Sequence, residues 1–149
     1  MKSQFNILIA DRNRHVRDFL RREFIADGYS VRLAKDGREL LSLIDERSDT
    51  DLLILDLEMP YSGEPEVLER LFDRQPFLPV VIHTLSTEHV GHQAVKRAAA
   101  FLEKRGNNID NLKEVVLSVL QKTYPNLFEA ATEESVQEIA GDQEAEAVS

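Results

Sequence analysis

Asp51-Leu52-Leu53-Ile54-Leu55-Asp56-Leu57-Glu58-Met59-Pro60 decides how this chain folds. Four consecutive apolar residues end at a carboxylate, and the loop that follows carries a second one. An apolar run of this length, bounded by polar residues, suits a strand buried on both faces of a parallel sheet. Pro60 then breaks the strand, because proline cannot donate to the hydrogen-bond ladder. Asp56 therefore belongs at the carboxyl end of a central strand, where open α/β sheets bind ligands. An ordinary acidic residue opening a turn would look the same locally, so the flanking sequence has to choose.

On the amino-terminal side, Phe5 to Ala10 reads as a first buried strand that stops at Asp11. Val16, Phe19, Leu20 and Phe24 recur at helical spacing, and Asp27-Gly28 ends that helix with glycine in the left-handed position. Tyr29 to Ala34 alternates as a second strand, and Leu40, Leu41, Leu43 and Ile44 mark a second helix. After the central strand, Gly63-Glu64-Pro65 opens a third helix whose apolar face is Val67, Leu68, Leu71 and Phe72. Val80 to Thr84 is a β-branched fourth strand, and Thr87 to Ala98 is a weakly patterned helix. Ala99 to Glu103 is a fifth strand ending at Lys104. Leu112, Val115, Val116, Val119 and Leu120 give a last helix that Tyr124-Pro125 stops.

Five strands alternating with five helices predict a doubly wound α/β fold: a five-stranded parallel sheet, order 2-1-3-4-5, with helices on both faces. That order puts Asp11 and Asp56 at the carboxyl ends of neighbouring strands, beside the switch point. Two carboxylates converging there make a cation site, and the turn reading of Asp56 loses ground.

Bulk properties narrow the function. The chain has 149 residues, 42% hydrophobic and 30% charged, and no cysteine, which rules out disulfides and thiolate chemistry. The net charge of −9 argues against general affinity for nucleic acid or anionic membrane. Residues 126–149 hold seven acidic residues and no Lys or Arg, so the preceding part is nearly neutral. The expected division is a domain over 1–125 and an acidic tail over 126–149, disordered or weakly helical. With neither a signal-peptide pattern nor a spanning segment, a cytoplasmic location is expected.

The chain resembles a response-regulator receiver domain of the CheY-like, flavodoxin-like kind over about residues 4 to 123. The likeness rests on Asp11 after the first strand, Asp56 with Met59-Pro60 after the third, Thr84 after the fourth and Lys104 after the fifth. It implies that Asp56 accepts a phosphoryl group from a histidine kinase or phosphotransfer protein, with Mg²⁺ held by Asp11, Asp56 and the backbone carbonyl of Glu58. Lys104 would pair with Asp56 and then with the phosphoryl oxygens, Thr84 would donate its hydroxyl, and Phe101 would turn inward behind it. Such a protein is no enzyme beyond its own phosphorylation and dephosphorylation. It would act as a stand-alone switch on a downstream protein target, as a monomer or weak homodimer, with no nucleic-acid or membrane partner.

Departures from the family pattern support an alternative, a pseudo-receiver that binds partners without phosphorylation. The second acidic residue after the first strand is replaced by Arg12, which cannot ligate Mg²⁺. Either Arg12 swings out to solvent, or it pairs with Asp56 or Glu58 and stands in for the cation. Both imply weaker Mg²⁺ binding than usual. Leu85 is bulky where the family is small, Arg105 replaces a proline and its cis peptide, and the Thr84–Lys104 segment is short. A flavin or nucleotide site is disfavoured, because Asp11-Arg12-Asn13-Arg14 has no glycine-rich or hydroxyl-rich phosphate cradle. His83, His89 and His92 read as solvated positions before they read as a metal site, and Arg12, Arg14, Arg17, Arg21 and Arg22 as a solvated face.

Overall fold

The computed structural model describes residues 4–46, 49–60, 65–85, 96–106 and 108–128. Its elements run β1 (Asn6–Ala10), α1 (Arg14–Ala26), β2 (Ser30–Ala34), α2 (Gly37–Glu46), β3 (Leu52–Leu55), α3 (Pro65–Phe72), β4 (Val80–Thr84), β5 (Ala100–Glu103) and α4 (Ile109–Thr123). The sheet is parallel throughout, in the expected order β2-β1-β3-β4-β5. Residues 86–95, most of the helix expected over Thr87 to Ala98, lie outside the described residues.

Strand alternation divides the core in two. Leu8, Ala10, Leu53, Leu55, Val80 and Ile82 face α2 and α3, where Leu40, Ile44, Val67 and Leu71 meet them. Ile7, Ile9, Leu52, Ile54 and Val81 face α1 and α4, meeting Leu20, Phe24, Leu112, Val116 and Leu120. The apolar run of β3 is thereby buried along its whole length, as a central parallel strand covered on both faces requires.

Local chemistry sets the helix ends. Asn13 caps α1, its side chain accepting from the N–H groups of His15 (2.9 Å) and Val16 (3.2 Å). Gly28, at φ 95°, closes the same helix, and the Tyr29 N–H returns to the Phe24 carbonyl at 3.1 Å. Asp36 and Asn108 cap α2 and α4, accepting from Glu39 and Asn111. One expectation needs correction. Phe19 is 41% exposed, because it stands at the edge of the α1 stripe instead of its centre. Helix α4 ends at Thr123 as expected, but residues 125–128 turn helically again and Phe128 stacks on Phe5 with centroids 5.3 Å apart.

Candidate functional site

Register carries the candidate residues to one edge of the sheet. Ala10 lies opposite both Ala34 and Leu55, so Asp11 and Asp56 leave β1 and β3 side by side. Their N–H groups extend the ladders, Asp11 to the Ala34 carbonyl at 3.1 Å and Asp56 to the Ala10 carbonyl at 2.9 Å. Thr84 closes β4, and the Lys104 N–H bonds its carbonyl at 2.8 Å. Asp11, Asp56 and Thr84 are each at most 2% exposed, a costly arrangement for carboxylates unless they are paired.

Each of the four aspartate oxygens has a donor. Asp11 Oδ1 accepts from the Asn13 N–H at 2.8 Å, and Asp11 Oδ2 lies 2.7 Å from Lys104 Nζ. Asp56 Oδ1 accepts from the Glu58 N–H at 3.0 Å and from Thr84 Oγ1 at 3.3 Å. Asp56 Oδ2 accepts from the Arg12 N–H at 3.4 Å and lies 3.5 Å from Lys104 Nζ. Lys104 thus pairs with Asp56 as expected and makes a shorter contact with Asp11, so the ammonium straddles the two carboxylates. Burial raises the Asp11 pKa above the usual carboxylate range, and the neighbouring Asp56 adds to this; the Lys104 contact and the Asn13 N–H work against it.

Of the two arrangements open to Arg12, the structure takes the pairing with Glu58: guanidinium Nη2 and Glu58 Oε2 are 2.7 Å apart. The same Glu58 that folds its N–H back onto Asp56 therefore holds a cation with its side chain. This bears on Mg²⁺, which takes octahedral oxygen ligands. Among the described residues, no three His, Cys, Asp or Glu side chains come together as a metal set. The aspartate oxygens already hold N–H, O–H and ammonium donors, and a guanidinium sits at the adjoining corner. What the chain presents there is two buried carboxylates with a guanidinium at the adjoining corner.

One contact and one burial were hidden from sequence reasoning. Arg17, expected on a solvated face, donates through Nη1 to the Asp11 carbonyl at 2.7 Å and braces the loop after β1. His83, expected to be solvated, is largely buried, and its Nδ1 has no hydrogen-bond partner among the described residues. Alternation along β4 turns it away from Thr84, into a cleft of about 190 Å³ between α1 and α4 lined by Val16, Phe19, Leu20, Ile109 and Leu112, with Lys104 at its end. Phe101 is partly buried against the α2–α3 side of the core. Arg105 is exposed, and the cis peptide of the described chain is Gln75–Pro76. His89 and His92 lie outside the described residues.

The profile of the response regulator receiver domain matches residues 7–117. The chain belongs to that family. It is a receiver domain of the kind found in two-component response regulators. Response regulator MprA of Mycolicibacterium vanbaalenii is 44% identical over 79 residues, which cover 52% of this chain and 33% of that protein. MprA of Mycobacterium leprae is 41% identical over 78 residues, covering 52% and 34%. The receiver thus spans about a third of the length of these relatives. Among solved structures, response regulator TrrA of Thermotoga maritima, in complex with Mg²⁺-BeF, superposes with a TM-score of 0.68 at 26% identity. That match covers 77% of this chain and 98% of TrrA. The complex of histidine kinase ThkA with TrrA gives a TM-score of 0.67 at 26% identity, over 78% of this chain and 98% of the matched one. Among the described residues of this receiver, no helix is long and apolar enough to cross a membrane.

Proposed function

We propose that this receiver accepts a phosphoryl group on Asp56 and passes the change to a protein target through altered interactions. The observation that carries the reading is the convergence of Asp56, Thr84 and Lys104 at one buried edge, with the hydroxyl and the ammonium both within contact of the acceptor carboxylate. Family membership and the kinase complex of TrrA support a histidine kinase or phosphotransfer protein as donor.

An Asp56 oxygen attacks phosphorus in line. As the new O–P bond forms, the P–N bond of the donor phosphohistidine breaks and the imidazole keeps the electron pair; with a small acyl phosphate the carboxylate leaves instead. Charge spreads over the three transferred oxygens, so catalysis is positioning plus electrostatic stabilisation. Lys104 supplies a fixed positive charge between Asp11 and Asp56, and the Thr84 hydroxyl can turn from Asp56 to a phosphoryl oxygen. The phosphoaspartate carries nearly two negative charges where the carboxylate carried one, a gain of about one, which draws Thr84 and Lys104 together and moves the ends of β4 and β5.

Intact mass after incubation with an acyl phosphate tests this. The expected result is a gain of one phosphoryl group that Asp56→Asn abolishes. A gain that persists in Asp56→Asn would place the acceptor elsewhere; no gain under any condition would leave a phosphorylation-independent binding module.

A further inference from the structure

The corner of the crevice beside the two buried carboxylates is filled by the protein's own cation. Arg12 and Glu58 lie 46 residues apart in sequence, yet their side chains meet at 2.7 Å. Both ends of that bridge are anchored at the acceptor. The Arg12 N–H reaches Asp56 Oδ2 at 3.4 Å, and the Glu58 N–H reaches Asp56 Oδ1 at 3.0 Å. The loop after β1, which carries Arg12, is braced by Asn13 on Asp11 and by Arg17 on the Asp11 carbonyl. The Glu58 side chain is 15% exposed and that of Arg12 46%, so the guanidinium sits at the mouth with one side on the carboxylate and one in water.

Charge gives the arrangement its meaning. Asp11, Asp56 and Glu58 bring three formal negative charges, against which Lys104 and Arg12 set two positive ones, leaving one net negative charge. With an aspartate at position 12 the same crevice would hold three. The difference is the charge of one divalent ion.

We infer that Arg12 is the resident cation of this crevice, replacing a divalent metal and letting Asp56 take a phosphoryl group without one. The inference rests on the phosphoryl-acceptor reading above. The guanidinium is always protonated and its fork suits phosphoryl as well as carboxylate oxygens. It neutralises the crevice before the donor arrives, and it repels a metal ion that would take the same corner. No bond is made or broken beyond those of the transfer itself: Arg12 contributes charge and hydrogen bonds only.

Two measurements on the full chain test this, using wild type, Arg12→Asp and Arg12→Gln. The first is calorimetric titration with Mg²⁺ alone. Wild type should show no saturable binding at millimolar Mg²⁺, and Arg12→Asp should bind at least about tenfold more tightly, with Arg12→Gln between them. The second is phosphoryl gain by intact mass, in EDTA and in Mg²⁺. Wild type should gain equally in both, Arg12→Asp only with Mg²⁺. Equal Mg²⁺ affinities in wild type and Arg12→Asp, or a wild-type gain that needs Mg²⁺, overturn the inference and leave the role of Asp56 standing. No gain in any of the three proteins overturns the acceptor reading and metal-free transfer with it. The titration then still decides the corner itself: tighter binding by Arg12→Asp keeps Arg12 as its cation, and equal binding removes it.

Discussion

His83 shows how one residue's direction can set a pH dependence. Burial, with the Lys104 charge as a smaller cause, pushes its pKa down to about 4 from the ordinary 6.5, while Asp56 pulls weakly the other way. The folded protein therefore keeps the imidazole neutral where the unfolded chain would protonate it. The stabilising contribution is complete above pH 6.5 and is lost as pH falls through 6.5 toward 4. Between pH 7 and pH 5 this should cost about 2 kcal/mol, read as a fall in urea midpoint. His83→Leu removes the titrating group, so its midpoint should fall less over the same range; parallel losses in both proteins would refute the assignment. Comparing the two also cancels Asp11, whose raised pKa acts with the opposite sign at lower pH. The residue type was plain in the sequence, but only strand parity and the cover of α1 and α4 make it a buried, unpaired base.

At the scale of elements, α4 is tied to the far end of the sheet from the site. Tyr124, which caps it, donates its hydroxyl to the Asp51 carbonyl at 2.8 Å and sets its ring 5.8 Å from that of Phe5. Burial, helped by Asp51, raises its phenol to about 12, so it remains a donor at any physiological pH. Asp51 in turn joins β3 to β1: its carboxylate accepts from the Asn6 N–H at 2.7 Å and its own N–H donates to the Asn6 carbonyl at 2.8 Å. Tyr124→Phe should lower stability by about 1 kcal/mol in urea unfolding and leave the phosphoryl gain at Asp56 unchanged. An unaltered midpoint would show that water replaces the bond at no cost. The Tyr124-Pro125 pair was legible as a stop; the bond across 73 residues was not, because nothing local encodes it.

For the molecule as a whole, the two apolar clusters on opposite faces of β3 hold the crevice edge in register, and the α1–α4 cluster extends to Phe128. Phe128 stacks on Phe5 and Tyr124 tilts against it, so these three rings cover the start of β1. A chain ending at Phe128 keeps all three rings. Ending it at Thr123 removes two of the three rings and should cost on the order of 2–4 kcal/mol. Equal midpoints for these two truncations would mean that the rings pack without stabilising the fold.

The sequence by itself determined the strands, their order and the four strand ends. Apolar runs bounded by carboxylates, and helical periodicity between them, are local signals of burial that a parallel sheet must satisfy. It also put Asp11, Asp56, Thr84 and Lys104 at one edge, because parallel strands all present the same end to the same side. Tertiary structure alone decided the partners: Lys104 lies nearer Asp11 than Asp56, Arg12 is held by Glu58, and Arg17 is turned onto the Asp11 carbonyl. Each of the ion pairs is fixed by cross-strand register and loop path over dozens of residues. At distances of a few ångströms, a shift no larger than a rotamer change exchanges one partner for another, and no pattern of residue types resolves that.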